Sequence, residues 1–229
     1  KVAAFLKVES FEEEAFAFMT TLKGTVKKTA LSEFSNPRRK GIRALELDEG
    51  DEVVSVRLSK EGQQIMLFTY LGMAVRFDQS DVRPMGRTAR GVRGVRLKSA
   101  EDYIVGCEVV NGDESVLVVC ENGFGKRSLV EDFRHASRGG VGVKSIITSE
   151  RNGNVVGALC VTDNDGIVMM SSLGQTVRIS MRDVRVMGRS TQGVKLLNLK
   201  DKDYLLAIQK VEGSENGETI EEEVDAPEA

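Results

Sequence analysis

Four glycines, each opening a similar phrase, divide the chain into repeats. KGTVKK, LGMAVRF, NGFGKRS and LGQTVRI align on Gly24, Gly72, Gly123 and Gly174, at intervals of 48, 51 and 51 residues. A second glycine follows each anchor (Gly41, Gly91, Gly142 and Gly193) after 17, 19, 19 and 19 residues. A fixed period of this length restricts a chain to architectures in which one supersecondary unit is stacked or arranged radially. Within the second repeat the apolar runs are QIMLFTY, MAVRF, GVRGVRL and YIVGCEVV, rich in Val and Ile and bounded by Gly, Asn or Asp. Runs so short and β-branched form strands rather than helices. ENG at 121–123 and DNDG at 163–166 supply hairpin turns, and LVEDFRH and SMRDVRV are long enough for single turns only. Four short strands per repeat is the pattern of a propeller blade. The expectation is an all-β, propeller-like disc of four-stranded blades, at 9–58, 64–110, 115–161 and 166–211, forming one domain over 1–210. Residues 1–8 then supply a leading strand of a preceding blade.

Charge follows the same period. The windows 23–43, 72–98, 123–147 and 174–200 hold 25 of the 32 Lys and Arg but only 6 of the 35 Asp and Glu. The net charge of −3 conceals this, because the last nineteen residues, VEGSENGETIEEEVDAPEA, carry eight acids and no base. Without them the chain is basic, with 32 bases against 27 acids. The acidic tail has little to bury and is expected to be disordered. Equivalent positions of successive blades point to equivalent places around a disc, so a basic connection repeated in each blade makes a positive band. A polyanion responds to that band rather than to the overall charge. Arg76 and Arg178, inside strands, are read instead as partners for acids between blades.

Several chemistries are excluded by what is missing. His135 is the single histidine, which leaves no Ser–His–Asp or Cys–His pair and no His/Cys metal cluster. NGFGKRS ends like a phosphate loop, but Cys120 stands in place of the first glycine and Arg127 in place of the magnesium-binding hydroxyl. TDNDG at 162–166 has the acids of a calcium loop without the rest of its ligand spacing, and reads as a hairpin turn. Cys107, Cys120 and Cys160 each lie in an apolar run, as reduced buried thiols do, which points to a reducing cytoplasm. No apolar run reaches membrane-spanning length. The chain has no initiator Met and opens as if inside a strand, so it reads as part of a longer protein. Aromatic residues make up 5% of the chain; single-strand binders need stacking platforms, so arginine without aromatics favours duplex phosphates.

Specific phrases carry a resemblance. GTVKKTALSEF (24–34), DEGDEVVSVRL (48–58), QIMLF (64–68), VRFDQSDVRPMGRTARGVRGVRL (75–97), ENGFGKRS (121–128), SERNGNVVGALCV (149–161) and MGRSTQGVKLL (187–197) occur in the order found in the C-terminal DNA-wrapping domain of DNA gyrase A, part of a type IIA topoisomerase of bacteria. The chain resembles that family over essentially residues 1–211. The resemblance implies a β-pinwheel, a propeller-like disc whose blades exchange strands, with duplex DNA bent around its rim without sequence preference. Its partners would be double-stranded DNA, the catalytic core of gyrase A and, through it, gyrase B. The domain would hold no cofactor of its own; ATP and Mg act elsewhere in the parent enzyme, which introduces negative supercoils. Two departures stand out. The family domain has six blades where four repeats are found here, and the family's Gln-Arg-Arg-Gly-Gly-Lys-Gly box is absent, echoed only in part by NPRRKG (36–41) and SRGGVG (137–142).

The expected DNA contacts are Lys27, Lys28, Arg38, Arg39, Lys40 and Arg43 in the first repeat and Arg83, Arg87, Arg90, Arg93 and Arg96 in the second. The third contributes Lys126, Arg127, Arg134, Arg138 and Lys144, and the fourth Arg182, Arg185, Arg189 and Lys195. Two rival readings are the corresponding domain of topoisomerase IV and a propeller scaffold for protein partners. The scaffold predicts an exposed apolar or aromatic patch on one face of the disc.

Overall fold

The computed structural model describes residues 2–11 and 14–211. The acidic segment 212–229 lies outside the described residues. The first repeat forms β1 (Phe16–Thr21), β2 (Thr25–Ala30) and β3 (Val53–Ser59), and the second β4 (Gln64–Thr69), β5 (Met73–Asp78), β6 (Val92–Arg93) and β7 (Ile104–Val110). The third forms β8 (Ser115–Cys120), β9 (Phe124–Leu129), β10 (Val143–Lys144) and β11 (Val155–Val161). The fourth forms β12 (Gly166–Ser171), β13 (Thr176–Ser180), β14 (Val194–Lys195) and β15 (Leu205–Val211). After the second strand of each repeat the chain makes one short 3-10 turn, at Leu31–Phe34, Gln79–Asp81, Val130–Asp132 and Met181–Asp183. The expected all-β, propeller-like disc is what forms.

The strands assemble into four antiparallel sheets, ordered β3-β1-β2-β6, β10-β5-β4-β7, β11-β8-β9-β14 and β13-β12-β15. The boundaries read from sequence therefore mark repeats rather than blades. Each of the first three blades takes three strands from its own repeat and its last from the next: β6 completes blade one, β10 blade two and β14 blade three. The long strands β3, β7, β11 and β15 pack against one another between blades, which sets them at the axis and the two-residue strands at the periphery. Blade four has three strands among the described residues. Residues 2–8 form no strand: β1 already has β2 and β3 as neighbours, so Leu6 and Val8 join blade one through side-chain packing instead.

Strand exchange explains the second glycine of the repeat. Gly91, Gly142 and Gly193 stand just before the donated strands with φ of 104°, 80° and 77°. A Cβ there would lie 2.5, 2.1 and 2.6 Å from the carbonyl oxygens of Val26, Ala74 and Gly125 on the accepting strands. Only glycine combines the left-handed backbone with so close an approach. The core is correspondingly interblade. Phe18 and Val26 of blade one meet Ile65, Leu67, Val75 and Phe77 of blade two in one cluster. Met66 and Phe68 meet Val116, Val118 and Cys160 in the next, and Leu117 and Val119 meet Ile167, Met169 and Leu205 in the third. All three thiols are free and buried, and burial pushes those of Cys107 and Cys120 up to about 12, leaving them inert.

Candidate nucleic-acid interface

Between its 3-10 turn and the donated strand, each of the last three repeats runs a connection over the outside of the preceding blade. Its entry is fixed by backbone bonds at equivalent places: Met85 N to Lys28 O (2.8 Å), Ala136 N to Arg76 O (3.0 Å) and Met187 N to Arg127 O (2.8 Å). Beneath it lies a cation of the preceding blade. Lys28 Nζ donates to the side-chain and main-chain oxygens of Gln79 (2.7 and 3.4 Å). Arg76 donates to Val130 O (2.8 Å) and Phe133 O (3.3 Å), and Arg127 to Met181 O (2.9 Å). Each cation therefore holds the 3-10 turn of the next repeat by its carbonyls. Arg76 meets carbonyls and the amide of Gln64, not the acids expected. Arg178, the equivalent residue of blade four, is exposed on β13.

Four residues read as DNA contacts are corrected by this arrangement. Lys27 and Lys126 are 0% exposed, Lys28 3% and Arg127 7%. Lys27 Nζ donates to Ala44 O (2.8 Å) and Arg87 O (2.6 Å), and Lys126 Nζ to Gly188 O (2.9 Å) and Ser128 Oγ (3.0 Å). Burial, reinforced by neighbouring Arg87 and Arg189, pulls the Lys27 and Lys126 ammoniums down to about 8; burial lowers Lys28 as well. These groups shape the rim from within and present no charge to a phosphate. They lie in β2 and β9, as Arg76 lies in β5, strands over which the connection of the next repeat passes, whereas Arg178 on β13 of the last blade is exposed.

The remaining predicted residues lie on the outside in three conditions. Arg38, Arg39, Lys40, Arg43, Arg83, Arg93, Arg96, Arg134, Lys144 and Arg185 are exposed and carry no ion pair or side-chain hydrogen bond among the described residues. Lys195 is exposed with its ammonium 5.7 Å from the centre of the Phe124 ring, and Arg182 bonds Asn164 Oδ1 (2.7 Å). Arg90, though exposed, is paired with Glu46 (3.3 Å) and Asp48 (3.1 Å), so part of its charge is already answered. Arg87, Arg138 and Arg189 are half-buried. Arg138 donates to Asp81 O (2.9 Å) and Arg93 O (3.1 Å), and Arg189 to Lys144 O (3.1 Å), so each stitches its connection to the one before. Arg87 faces Glu33 at 3.9 Å.

Two rows of open cations result. Arg93, Lys144 and Lys195 stand on the outermost strand of blades one, two and three, at steps of 51 residues; Arg83, Arg134 and Arg185 repeat with the same step where the connections begin. Arg151, outside every basic window, lies beside the last member of the first row: its guanidinium is 4.7 Å from the centre of the same Phe124 ring as Lys195. It was hidden in the turn SERNGN, where Asn152, fully buried, ties Ile147 O to Gln192 O. Most members of these rows are arginines, whose planar guanidinium can pair with a phosphate through two parallel hydrogen bonds. His135, the single histidine, sits on this outer surface with Asp78 at 3.1 Å. No group of three or more His, Cys, Asp or Glu able to hold a metal occurs among the described residues.

The chain is similar to known proteins in sequence and in fold. The family model of the DNA gyrase C-terminal domain, beta-propeller, matches residues 16–60, 63–111, 114–162 and 167–212. DNA gyrase A of Chlamydia pneumoniae is 58% identical over 221 residues, covering 96% of this chain and 26% of that protein. DNA gyrase A of Escherichia coli K12 is 42% identical over 211 residues, covering 92% of this chain and 24% of its own length. The chain thus spans about a quarter of these relatives. Among solved structures, a C-terminal domain of DNA topoisomerase IV superposes with a TM-score of 0.84 at 28% identity, covering 90% of this chain and 64% of that one. A DNA gyrase A C-terminal domain superposes with a TM-score of 0.81 at 26% identity, covering 90% and 69%. Repeat, strand exchange and comparisons agree: the chain belongs to the family of DNA gyrase C-terminal β-propeller domains.

Proposed function

We propose that the disc binds duplex DNA along its basic rim without reading sequence and bends it. The observation that supports this most is the recurrence of an open cation at one position of every donated outer strand, Arg93, Lys144 and Lys195, beside the row Arg83, Arg134 and Arg185. Bending 20–30 bp through 40–90° costs roughly 1–6 kcal/mol. An exposed charge pair contributes only about 0.2–1 kcal/mol, so one blade cannot hold a bend and several in series can. Charge spaced along a rim meets the phosphates that every duplex carries, which supports a readout of shape and charge.

The proposal extends to a longer parent enzyme: the bent duplex would be presented to the catalytic core of gyrase A, and through it to gyrase B, to assist ATP-dependent negative supercoiling. The domain contributes binding and curvature, while cleavage and ATP chemistry belong to the rest of the enzyme.

The test is a salt titration of binding to duplexes of graded length. Log K should fall with log salt by about 0.9 per phosphate neutralised, and affinity should climb until the duplex spans several blades. Replacing Arg83, Arg134 and Arg185 with Ala should weaken all sequences alike and reduce the salt slope by about 2–3. An unchanged slope, or a loss confined to one sequence, overturns the proposal.

A further inference from the structure

The chain has three tyrosines and no tryptophan, and the tyrosines come from two different repeats. All three nevertheless line one cavity of about 290 Å³, between the axial strands of blades two, three and four and away from the basic rim. We propose that this cavity is a binding site for an organic cation: a guanidinium or ammonium group carried on an alkyl stem.

Its construction is specific. Tyr70 stacks on Tyr103 with ring centres 4.5 Å apart and planes 15° from parallel. The Tyr70 hydroxyl donates to Glu121 Oε1 (2.9 Å), and Asn154 N donates to Oε2 (2.8 Å), which fixes the carboxylate in the cavity wall. Val105 and Leu206 add aliphatic surface, and Tyr204 stands half exposed. Asp102 and Asp203 set Tyr103 and Tyr204 in the same way, each accepting a hydrogen bond from the following tyrosine N–H (3.1 and 2.9 Å). The walls are held together by Val155 N to Tyr70 O (2.9 Å) and Leu205 N to Glu121 O (2.8 Å), so three blades are locked around the space.

The electrostatics select the occupant. No Lys, Arg or His lines the cavity. Burial raises the phenols of Tyr70 and Tyr103, and the acids Glu121, Glu101 and Asp102 raise them further, with no base acting in return. The negative field there is thus uncompensated by any cation lining the cavity. Aromatic faces attract cations through their quadrupoles, and a fixed carboxylate among tyrosines recognises the same charge. An alkyl stem would lie along Val105 and Leu206, whereas a phosphate would be repelled. The site is therefore the electrostatic opposite of the rim.

The tyrosines also supply the measurement. With no tryptophan, intrinsic emission reports this cavity alone. Titrating the 229-residue chain with N-acetyl-arginine amide, an arginine-containing tripeptide and spermidine, at constant ionic strength, should give a saturable change in tyrosine emission. Tighter binding of the tripeptide would identify a protein side chain as the source, and tighter binding of spermidine a free polyamine; either supports the site. Glu121→Gln keeps the side chain's shape, its oxygen still accepts from Asn154 N and its amide can donate to the Tyr70 hydroxyl; loss of the charge should weaken binding at least five-fold. Tyr204→Ala, at an exposed position, should do the same without loss of fold. The Arg83/Arg134/Arg185→Ala variant should retain cation binding while losing affinity for DNA, which separates this site from the rim. A response linear in cation concentration, or one unaltered in both cavity variants, overturns the assignment.

Discussion

Blades one and three differ from blade two in how they carry the connection laid over them. Blades one and three place a buried lysine, Lys27 or Lys126, under a connection containing Met-Gly-Arg (85–87 and 187–189), and the ammonium binds its carbonyls. Blade two has Val75 at that position, 2% exposed, under a connection reading Ala-Ser-Arg-Gly-Gly (136–140). That connection is held from the side, by Arg138 on Asp81 O and Arg93 O and by Gly139 N on Gly94 O (2.6 Å). The lateral arginine is common to the connections over blades two and three, since Arg189 on Lys144 O matches Arg138. The desolvated ammonium beneath is present in blades one and three and absent from blade two. The buried ammonium and the Met-Gly-Arg phrase thus occur together, in blades one and three and not in blade two.

The sharpest way to break this comparison is to exchange the supports. Val75→Lys places an ammonium among apolar neighbours in the one blade whose connection is built without it, and should destabilise the fold by about 3–5 kcal/mol in denaturant titration. Near-neutral behaviour would mean that any of these connections can receive a lysine. The converse, Lys126→Met, keeps the length and leaves Gly188 O without its donor, at a cost of about 1–3 kcal/mol. Hydrogen exchange should then rise in residues 186–192 of that connection more than in 136–140.

Proton linkage sharpens the same pair. Lys126 is lowered to about 8 in the fold from 10.5, so between these values the unfolded chain holds the proton longer than the folded one. Its contribution to stability accordingly rises with pH across that window, being least favourable below about 8. The difference in unfolding free energy between the parent and Lys126→Met should therefore grow from pH 8 to pH 10, read by urea titration at both. A constant difference would show that the ammonium is not desolvated. The smallest effect belongs to the lateral support: Arg138→Ala should cost about 0.5–1.5 kcal/mol and alter affinity for DNA less than removal of the open Arg134.

Particular residues show where sequence reasoning succeeds and where it stops. The strands of the second repeat were legible from apolar runs of the right length, and LVEDFRH and SMRDVRV do fold as single 3-10 turns. The blades were not legible: β6 is continuous in sequence with blade two but completes blade one, because a two-residue strand carries no pattern that names its partner. Among the basic residues, Lys27 and Arg83 count equally in a charge tally. One is surrounded by carbonyls contributed from residues 44 and 87, the other faces solvent. Arg90 likewise loses part of its charge to Glu46 and Asp48, more than 40 residues away. The tyrosines, each unremarkable beside its own strand, acquire a shared environment only when three blades meet.

The sequence by itself determined the period, the strand content, the positions that must be glycine and the periodic excess of bases, since each follows from local sterics and patterning along the chain. Tertiary structure alone decided which repeat completes which blade, which cations are buried as supports and which remain open, and that three tyrosines and Glu121 converge at the axis. The physical reason is common to all of these. Desolvation, carbonyl partners and ion pairs depend on atoms brought together across repeats some fifty residues apart, and no local pattern records them.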